Sequence, residues 1–170
     1  MEIREATYAD LDQIWQLRLE TTELLKSRGI DQWQYVDPKI ETFKKDIDQH
    51  EFFVATENNE IIGMIAIKSG IEHTYDMIFD GQWNIDLPYL TIHRLAVKKN
   101  KLGSQVSKEL LIYAEKHAKN MNISYIRIDT HEKNKYAIRL FESFNYILCG
   151  WILLVQAKGY LKRLAFDKIL

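Results

Sequence analysis

The segment YLTIHRLAVKKNKLGSQVSKELL, residues 89–111, decides the fold because it joins a strand pattern, a basic turn and a helix pattern in one run. Residues 89–97 are rich in apolar and β-branched side chains, which favour a β-strand. A turn with one glycine, Gly103, follows, and an amphipathic helix begins after it. A helix start offers unpaired backbone N–H groups to an anion such as phosphate. The segment therefore predicts either an anion-binding turn or a plain strand-to-helix connection whose glycine relieves turn strain.

The rest of the chain extends this pattern to the element order β-α-α-β-β-β-α-β-α-β-β. Before the segment, the sequence predicts a strand at Met1–Glu5, helices from about Leu11 to Lys26 and from Pro38, and a hairpin turning at Asn58–Asn59. After it come the strand ISYIRID, a helix opened by Asn134, and the strands YILCGWILLV and RLAFDKIL. We therefore expect one α/β domain over residues 1–170, with a mixed sheet covered by helices on both faces.

Composition restricts the classes of function. The chain has 170 residues, is 46% hydrophobic and 28% charged, and has a formal net charge of −1. This charge balance gives no reason to expect nucleic acid or an anionic membrane as a partner. Cys149 is the single cysteine and the five histidines lack metal-ligand spacing, so we expect no disulfide and no metal site. The N-terminus does not have the pattern of a signal peptide, and we expect a cytoplasmic protein.

Two linked motifs carry a family resemblance. The first is an aliphatic strand ending in Leu95-Ala96-Val97, followed by the basic turn, its glycine and a helix. The second lies some 30 residues further on and comprises a strand, then Asn134-x-x-Ala137 and the pair Phe141-Glu142. In this order the motifs resemble the Gcn5-related N-acetyltransferase (GNAT) family, over nearly the whole chain. The resemblance implies a mixed, mostly antiparallel central sheet flanked by helices on both faces, the acyl-CoA N-acyltransferase fold.

The resemblance also implies an activity, which is transfer of an acetyl group from acetyl-coenzyme A to a primary amine. In the family, the strand lines the pantetheine arm of the coenzyme, the turn holds its pyrophosphate through backbone N–H groups, and the later helix lies near the thiol. Carried over by position, the coenzyme-binding residues are Leu95, Ala96, Val97, Leu102, Gly103, Ser104, Gln105, Val106, Ser107, Asn134, Ala137 and Phe141. No metal is implied.

Three residues depart from the family pattern. Asn100 stands where glutamine or arginine is usual, and Gln105 stands where glycine or alanine is usual. We expect the Gln105 side chain to narrow the approach to the phosphates. Phe141 stands where many members have a tyrosine that protonates the departing thiolate, and phenylalanine has no such proton. The acid is then water or another group, for which the candidates are Tyr136, Tyr146 and Cys149.

His93 is the candidate general base, because a histidine titrates near neutrality and can accept a proton from the acceptor amine. Strict alternation along the strand predicts that His93 shares a face with Leu95 and Val97. The alternative is a histidine bonded to a neighbouring loop in a structural role. Arg94 is expected on the opposite face, paired with an acidic residue. His131 and Glu132 are expected in a solvated loop, and the alternative is that they approach the acyl centre.

The acceptor end is expected in the segment after the first helix and in the long connection of residues 69–87. Aromatic faces and carboxylates attract cations, so we expect a small-molecule amine or a peptide amine to bind at Trp33, Tyr35, Tyr75 and Trp83. The alternative is that the tryptophans anchor the loops. A homodimer is possible. A non-catalytic module that binds acyl-CoA or regulates a partner, and a protein unrelated to coenzyme A, are the competing interpretations.

Overall fold

The computed structural model describes residues 1–35, 37–154, 159 and 161–170, so the predicted strand end at Val155 lies outside the described residues. Seven strands are found in the described part, namely β1 Glu2–Glu5, β2 Phe52–Glu57, β3 Glu60–Lys68, β4 Leu90–Val97, β5 Tyr125–Thr130, β6 Ile147–Leu153 and β7 Lys162–Ile169. The α-helices there are α1 Leu11–Ser27, α2 Ile40–Asp48, α3 Val106–Asn120 and α4 Lys135–Ser143. The predicted element order is confirmed. None of the helices in these ranges is long and apolar enough to cross a membrane.

The strands form one sheet in the order β1-β2-β3-β4-β5-β7-β6. Every neighbouring pair is antiparallel except β4 and β5, which are parallel. This confirms the predicted mixed, mostly antiparallel sheet. The parallel pairing joins only Leu90–Ile92 to Ile126–Ile128, so the C-terminal half of β4 is not paired with β5. A gap between two strands of one sheet leaves backbone groups available, and the candidate site lies there.

Helices cover both faces of the sheet, as predicted. On one face, α1 and α2 bury Ile14 and Phe43 against Met64 of β3. On the other face, α3 and α4 bury Leu110 and Phe141 in the larger core cluster. The helical period of apolar residues predicts these packed faces, and their burial away from water is the main term that stabilises the layers.

The register between β3 and β4 contains a β-bulge. Ala66 pairs with His93 and Met64 pairs with Ala96, so the single residue Ile65 of β3 lies opposite both Arg94 and Leu95 of β4. The extra residue is accommodated at Arg94, whose φ of 54° lies in the left-handed region. A bulge reverses the alternation of side chains beyond it, because the strand period is two residues.

The bulge overturns the predicted face of His93. His93 lies on the same side as Ala96, towards α1 and α2, because their partners in β3 share one face. Leu95 and Val97 instead pack against the core cluster under α3. The prediction that these three side chains share a face is therefore wrong, since it assumed unbroken alternation.

Candidate active site

A cleft of about 640 Å³ opens where β4 and β5 diverge. Its walls come from the segment before α2, from β4 and β5, and from the start of α4. The predicted site residues that it brings together are His93, Leu95, Asn134, Ala137, Phe141, Trp33 and Tyr35. The predicted residues that are not in its lining are Ala96, Val97, Leu102, Gly103, Ser104, Gln105, Val106, Ser107, Tyr75 and Trp83.

His93 lines this cleft and contacts a carboxylate. Its Nε2 atom lies 3.2 Å from Oε2 of Glu72, and the His93 side chain is 22% exposed. The hydrogen bond with His93 holds the pKa of the Glu72 carboxyl at about 2, against an opposing effect of burial. Glu72 belongs to the connection between β3 and β4, so the loop contact expected under the structural alternative is present. The same ring is nevertheless open to the cleft.

Asp129 supplies a second carboxylate to the cleft from β5. Its Oδ1 atom accepts a hydrogen bond of 2.7 Å from the Tyr75 hydroxyl. Burial, followed by the charge of Asp129, raises the pKa of Tyr75 well above its usual value, so Tyr75 stays a neutral donor. Asp129 therefore keeps a fixed orientation in the wall of the cleft.

Tyr75 and Trp83 lie outside the cleft, and Tyr75 contacts residues that line it. Tyr75 is buried, and its ring lies 5.1 Å from Trp83 and 6.3 Å from His93. Trp83 also stacks on the Arg127 guanidinium at 4.3 Å. The connection that carries them folds down onto the sheet, which is why these two predicted acceptor residues lie outside the cleft.

Trp33 and Tyr35 form the opposite wall, and α1 fixes its backbone. The carbonyl of Trp33 accepts hydrogen bonds of 3.2 Å from Arg18 Nη2 and Thr22 Oγ1. Arg18 Nε also donates to the carbonyl of Pro38 at 3.1 Å. The buried Arg18 therefore holds both ends of this wall in place.

The turn before α3 has the backbone groups that an anion site needs. Gly103 has a φ of 76°, a conformation that glycine adopts without strain, and no atom would meet a Cβ there. Within the described part of the chain, no acceptor faces the N–H groups of Gly103, Gln105, Ser107 or Lys108. These groups carry the partial positive charge of the helix start. The turn can therefore bind an anion without rearranging hydrogen bonds.

The lysines beside this turn are partly neutralised. Lys98 pairs with Glu60, and Lys101 pairs with Glu57, both from the β2–β3 hairpin. The two glutamates therefore reduce the positive charge that these lysines give to the turn, which the sequence did not predict. Lys99, by contrast, is exposed.

None of the three candidate acids lines the cleft among the residues that the structure describes. Tyr146 is buried in the core cluster, and burial raises its pKa far above the usual range. Burial also raises the pKa of the Cys149 thiol to about 12. Tyr136 is exposed on α4 and stacks on Arg28 at 4.1 Å. None of these three side chains is therefore placed to donate a proton into the cleft.

The start of α4 is held by local caps. Asn134 Oδ1 accepts a hydrogen bond of 3.3 Å from the Ala137 N–H, which caps the helix. His131 is 2% exposed, and its Nδ1 atom accepts from the Lys133 N–H at 3.0 Å. Burial lowers the pKa of His131. The expectation of a solvated loop is therefore wrong for His131, because its side chain is buried and hydrogen-bonded to the backbone.

Sequence reasoning missed Glu72 and Asp129. Asp129 could have been found, because it lies near the carboxyl end of a predicted strand beside the family motif. Glu72 gave no local signal, since its partner His93 lies 21 positions away along the chain. Among the described residues, no group of three or more histidine, cysteine, aspartate or glutamate side chains could hold a metal ion.

Comparisons with known proteins agree with this architecture. The model of the acetyltransferase (GNAT) family matches residues 11–146, and the chain therefore belongs to this family. A GNAT-family acetyltransferase structure from Streptococcus agalactiae is 30% identical, with a TM-score of 0.86, and the match covers 99% of this chain and 95% of that one. No curated protein matches the chain. Acyl transfer is thus supported as the general activity.

Two further structures are similar to this chain. An acetyltransferase structure from Staphylococcus aureus has 28% identity and a TM-score of 0.74, with 99% of each chain covered. The PaiA N-acetyltransferase of Thermoplasma acidophilum, solved in complex with coenzyme A, has 19% identity and a TM-score of 0.74, with 99% and 98% covered. At 19% identity, the similarity to the Thermoplasma protein shows a shared fold only.

Proposed function

We propose that this protein transfers the acetyl group of acetyl-coenzyme A to a primary amine of a small molecule or peptide. The observation that carries the proposal is the cleft between the diverging strands β4 and β5, which joins His93 to Asn134 and Phe141 in one lining. A histidine open to such a cleft can accept a proton beside a bound thioester. Family membership supports the acyl-transfer part of the proposal.

The coenzyme end fits two features of the chain. The unpaired N–H groups at Gly103, Gln105 and Ser107 suit a pyrophosphate, because the helix start adds partial positive charge. Leu95 lies on the part of β4 that is not paired with β5 and lines the cleft, and on that edge the backbone is free to pair with an extended amide arm. The coenzyme A bound by the Thermoplasma relative supports the same ligand here.

The chemistry needs one proton acceptor from the chain. Acetyl-coenzyme A, when bound, supplies an activated thioester. His93 takes a proton from the ammonium group of the acceptor, so that the nitrogen lone pair is free to form the new C–N bond. The thioester C–S bond breaks, the acylated nitrogen releases its second proton to water, and the thiolate takes a proton from water. His93 returns its proton to solvent, so that one proton in total is released for each amide formed.

The acceptor end contains groups that attract a cation, and three cations, Lys39, Arg94 and Arg163, line the same cleft. Asp31, Asp37 and Asp129 line the cleft together with the aromatic rings of Trp33 and Tyr35. Carboxylates and aromatic faces both attract an ammonium group before it loses its proton. This combination supports an amine acceptor over an alcohol.

Calorimetry and thiol release test the proposal in sequence. We expect acetyl-coenzyme A to bind in a titration, and free coenzyme A thiol to appear when a panel of primary amines is added. The control panel contains the matching alcohols, which should release none above the rate of hydrolysis. Binding without thiol release from any amine would favour the non-catalytic module. Absence of binding at millimolar coenzyme would reject both.

Gln105→Gly tests the coenzyme end. Gln105 is exposed and has φ −76° and ψ −7°, so its backbone does not require glycine. We expect the dissociation constant of acetyl-coenzyme A to fall or to stay unchanged, because a side chain beside the phosphates is removed. Gln105→Ala is the matched control for backbone flexibility. Weaker binding in both variants would mean that the glutamine amide is itself a ligand.

We further propose that the protein is cytoplasmic and that it forms a homodimer. A cytoplasmic protein agrees with the free, buried thiol of Cys149. A homodimer is the oligomeric state that we propose to test by light scattering after size-exclusion chromatography. We propose that neither nucleic acid nor a membrane is a partner, because a net charge of −1 gives no overall attraction to an anionic partner.

A further inference from the structure

The contact between Glu72 and His93 determines which nitrogen of the His93 ring carries the proton. A carboxylate oxygen can only accept a hydrogen bond, so the His93 Nε2 atom at 3.2 Å must carry the proton. In the neutral ring, Nδ1 then holds the lone pair. No described residue lies within hydrogen-bond distance of Nδ1, while the ring lines the cleft. The contact thus selects the tautomer whose free nitrogen can take a proton from an acceptor.

Glu72 is itself held in place by three contacts. Its Oε1 atom accepts a hydrogen bond of 3.2 Å from the Thr74 N–H, which leaves Oε2 for His93. Its backbone N–H donates to the Tyr89 hydroxyl at 3.2 Å. Both the side chain and the backbone of Glu72 are therefore oriented before any ligand binds.

The connection that carries Glu72 is anchored to the sheet at several points. Tyr75 reaches Asp129 of β5, and the Trp83 indole N–H donates to the Tyr75 carbonyl at 3.1 Å. The backbone N–H of Asn84 donates to the buried Asp167 of β7 at 2.9 Å. A segment tied to two strands of the sheet is a rigid support for a side chain in the cleft.

We propose that Glu72 is the positioning residue of this site, which fixes the ring orientation and the tautomer of His93. The inference rests on the proposed function, in which His93 is the base. Glu72 does not reach the reacting atoms. It acts through His93, in the way that a carboxylate orients the histidine in other proton-transfer sites.

The tautomer of His93 separates this role from a structural ion pair. The two side chains are 22% and 27% exposed, so water screens part of their attraction. The Glu72 carboxyl has a pKa of about 2, so it faces His93 as an anion throughout the neutral range. Loss of Glu72 should therefore alter the orientation and the tautomer of His93, which a loss of stability alone would not do.

Other charged groups also face the cleft and contribute to its pH response. They come from the segment before α2, from β4, β5 and β7, and are Asp31, Asp37, Lys39, Arg94, Asp129 and Arg163. These groups are the same in a Glu72 variant and in the parent protein. A difference between their pH profiles is therefore assigned to Glu72.

The first arm of the test does not depend on activity. We expect the ¹⁵N resonances of His93 in the parent protein to show a protonated Nε2 and a bare Nδ1 at high pH. Glu72→Ala should give a mixture of the two tautomers, and Glu72→Leu, which has a larger side chain but no hydrogen-bond acceptor, replaces it if the alanine variant fails to fold. Unchanged His93 resonances in a folded variant would overturn the proposal. This arm decides the role of Glu72 even if no amine is acetylated.

The second arm measures acetyl transfer. Glu72→Ala should lower kcat by about 10²-fold, the size expected when a reacting group is misplaced by about 1 Å, with little change in the KM for acetyl-coenzyme A. The pH profile of Glu72→Ala should also differ from that of the parent, because the carboxylate beside the His93 ring is gone. Turnover equal to the parent's would overturn the positioning role while leaving the proposed function intact.

A matched control lies in the same connection. His73 Nδ1 contacts Asp76 Oδ2 at 3.0 Å, in a pair whose side chains are 79% and 59% exposed and which does not line the cleft. Asp76→Ala removes a carboxylate from a histidine without touching His93. We expect unchanged turnover and unchanged His93 resonances. A loss equal to that of Glu72→Ala would assign the effect to the loop as a whole and overturn the proposal.

Discussion

His93→Ala should lower the turnover of acetyl transfer by about 10²–10⁴-fold, the usual range for losing one acid–base group. The reason is that His93 lines the cleft and has one ring nitrogen that can take a proton from the acceptor amine. The carboxylates of Glu72 and Asp129 are instead engaged in hydrogen bonds. Binding of acetyl-coenzyme A should change little, because the turn before α3 is unaltered. Steady-state kinetics with thiol detection and a calorimetric titration measure the two effects.

The pH profile gives the sharper result for this variant. Only a neutral ring can accept a proton, so the rate should rise with pH through an acidic limb in the parent protein. That limb should disappear in His93→Ala. His73→Ala is the matched control, because its ring is exposed and lies outside the cleft. A limb that persists unchanged in His93→Ala would assign it to another group and reject His93 as the base.

The order of elements could be predicted because it depends on local chemistry. The hairpin between β2 and β3 turns at Asn58 and Asn59, with φ values of 51° and 64°. Asparagine tolerates such angles, so the turn is encoded by the residues that form it. Apolar periods gave the helices in the same way, and Asn134 marked the start of α4 by capping it.

The geometry of the cleft could be predicted only in part. Arg94 carries no signal for a bulge, because the extra residue is defined by the register of β4 against β3. The sequence therefore placed His93 in the site but on the wrong face. Tyr75 and Asp129 lie 54 positions apart, and their contact depends on how the long connection packs. Such contacts arise from tertiary structure, which a local pattern does not contain.

Asp46→Asn should produce the largest loss of stability among the changes considered. Asp46 lies in α2, is 1% exposed, and binds Arg94 with one oxygen and Lys68 with the other, at 2.9 Å to the Lys68 Nζ. The pairing of Arg94 with an acidic residue was predicted from the sequence and is confirmed. Removing one partner of a buried ion pair costs about 3–5 kcal/mol, because the remaining charge is left without compensation.

The lower end of that range is expected here. Lys68 keeps a second partner, Glu51, at 2.8 Å, and its side chain is 23% exposed. Arg94 is more severely affected, since its side chain is 14% exposed and its Nε atom already lacks an acceptor. A loss of about 3 kcal/mol would lower Tm by roughly 6–12 °C in a chain of this length. Urea unfolding measures the free energy, and Asp48→Asn, an exposed position in α2, should change it by less than about 1 kcal/mol.

A second substitution separates the effect of the unpaired Arg94 charge from other effects of the Asp46→Asn change. Arg94 has the left-handed backbone of the bulge, which glycine adopts without the cost of roughly 1–2 kcal/mol that an L-residue pays. Arg94→Gly in the Asp46→Asn background should therefore recover stability, because it removes the unpaired guanidinium and the strain together. In the parent background the same change removes a satisfied ion pair, and its effect should be smaller or destabilising. Equal effects in both backgrounds would mean that the two residues are not coupled, and that the bulge in β4 does not depend on Asp46.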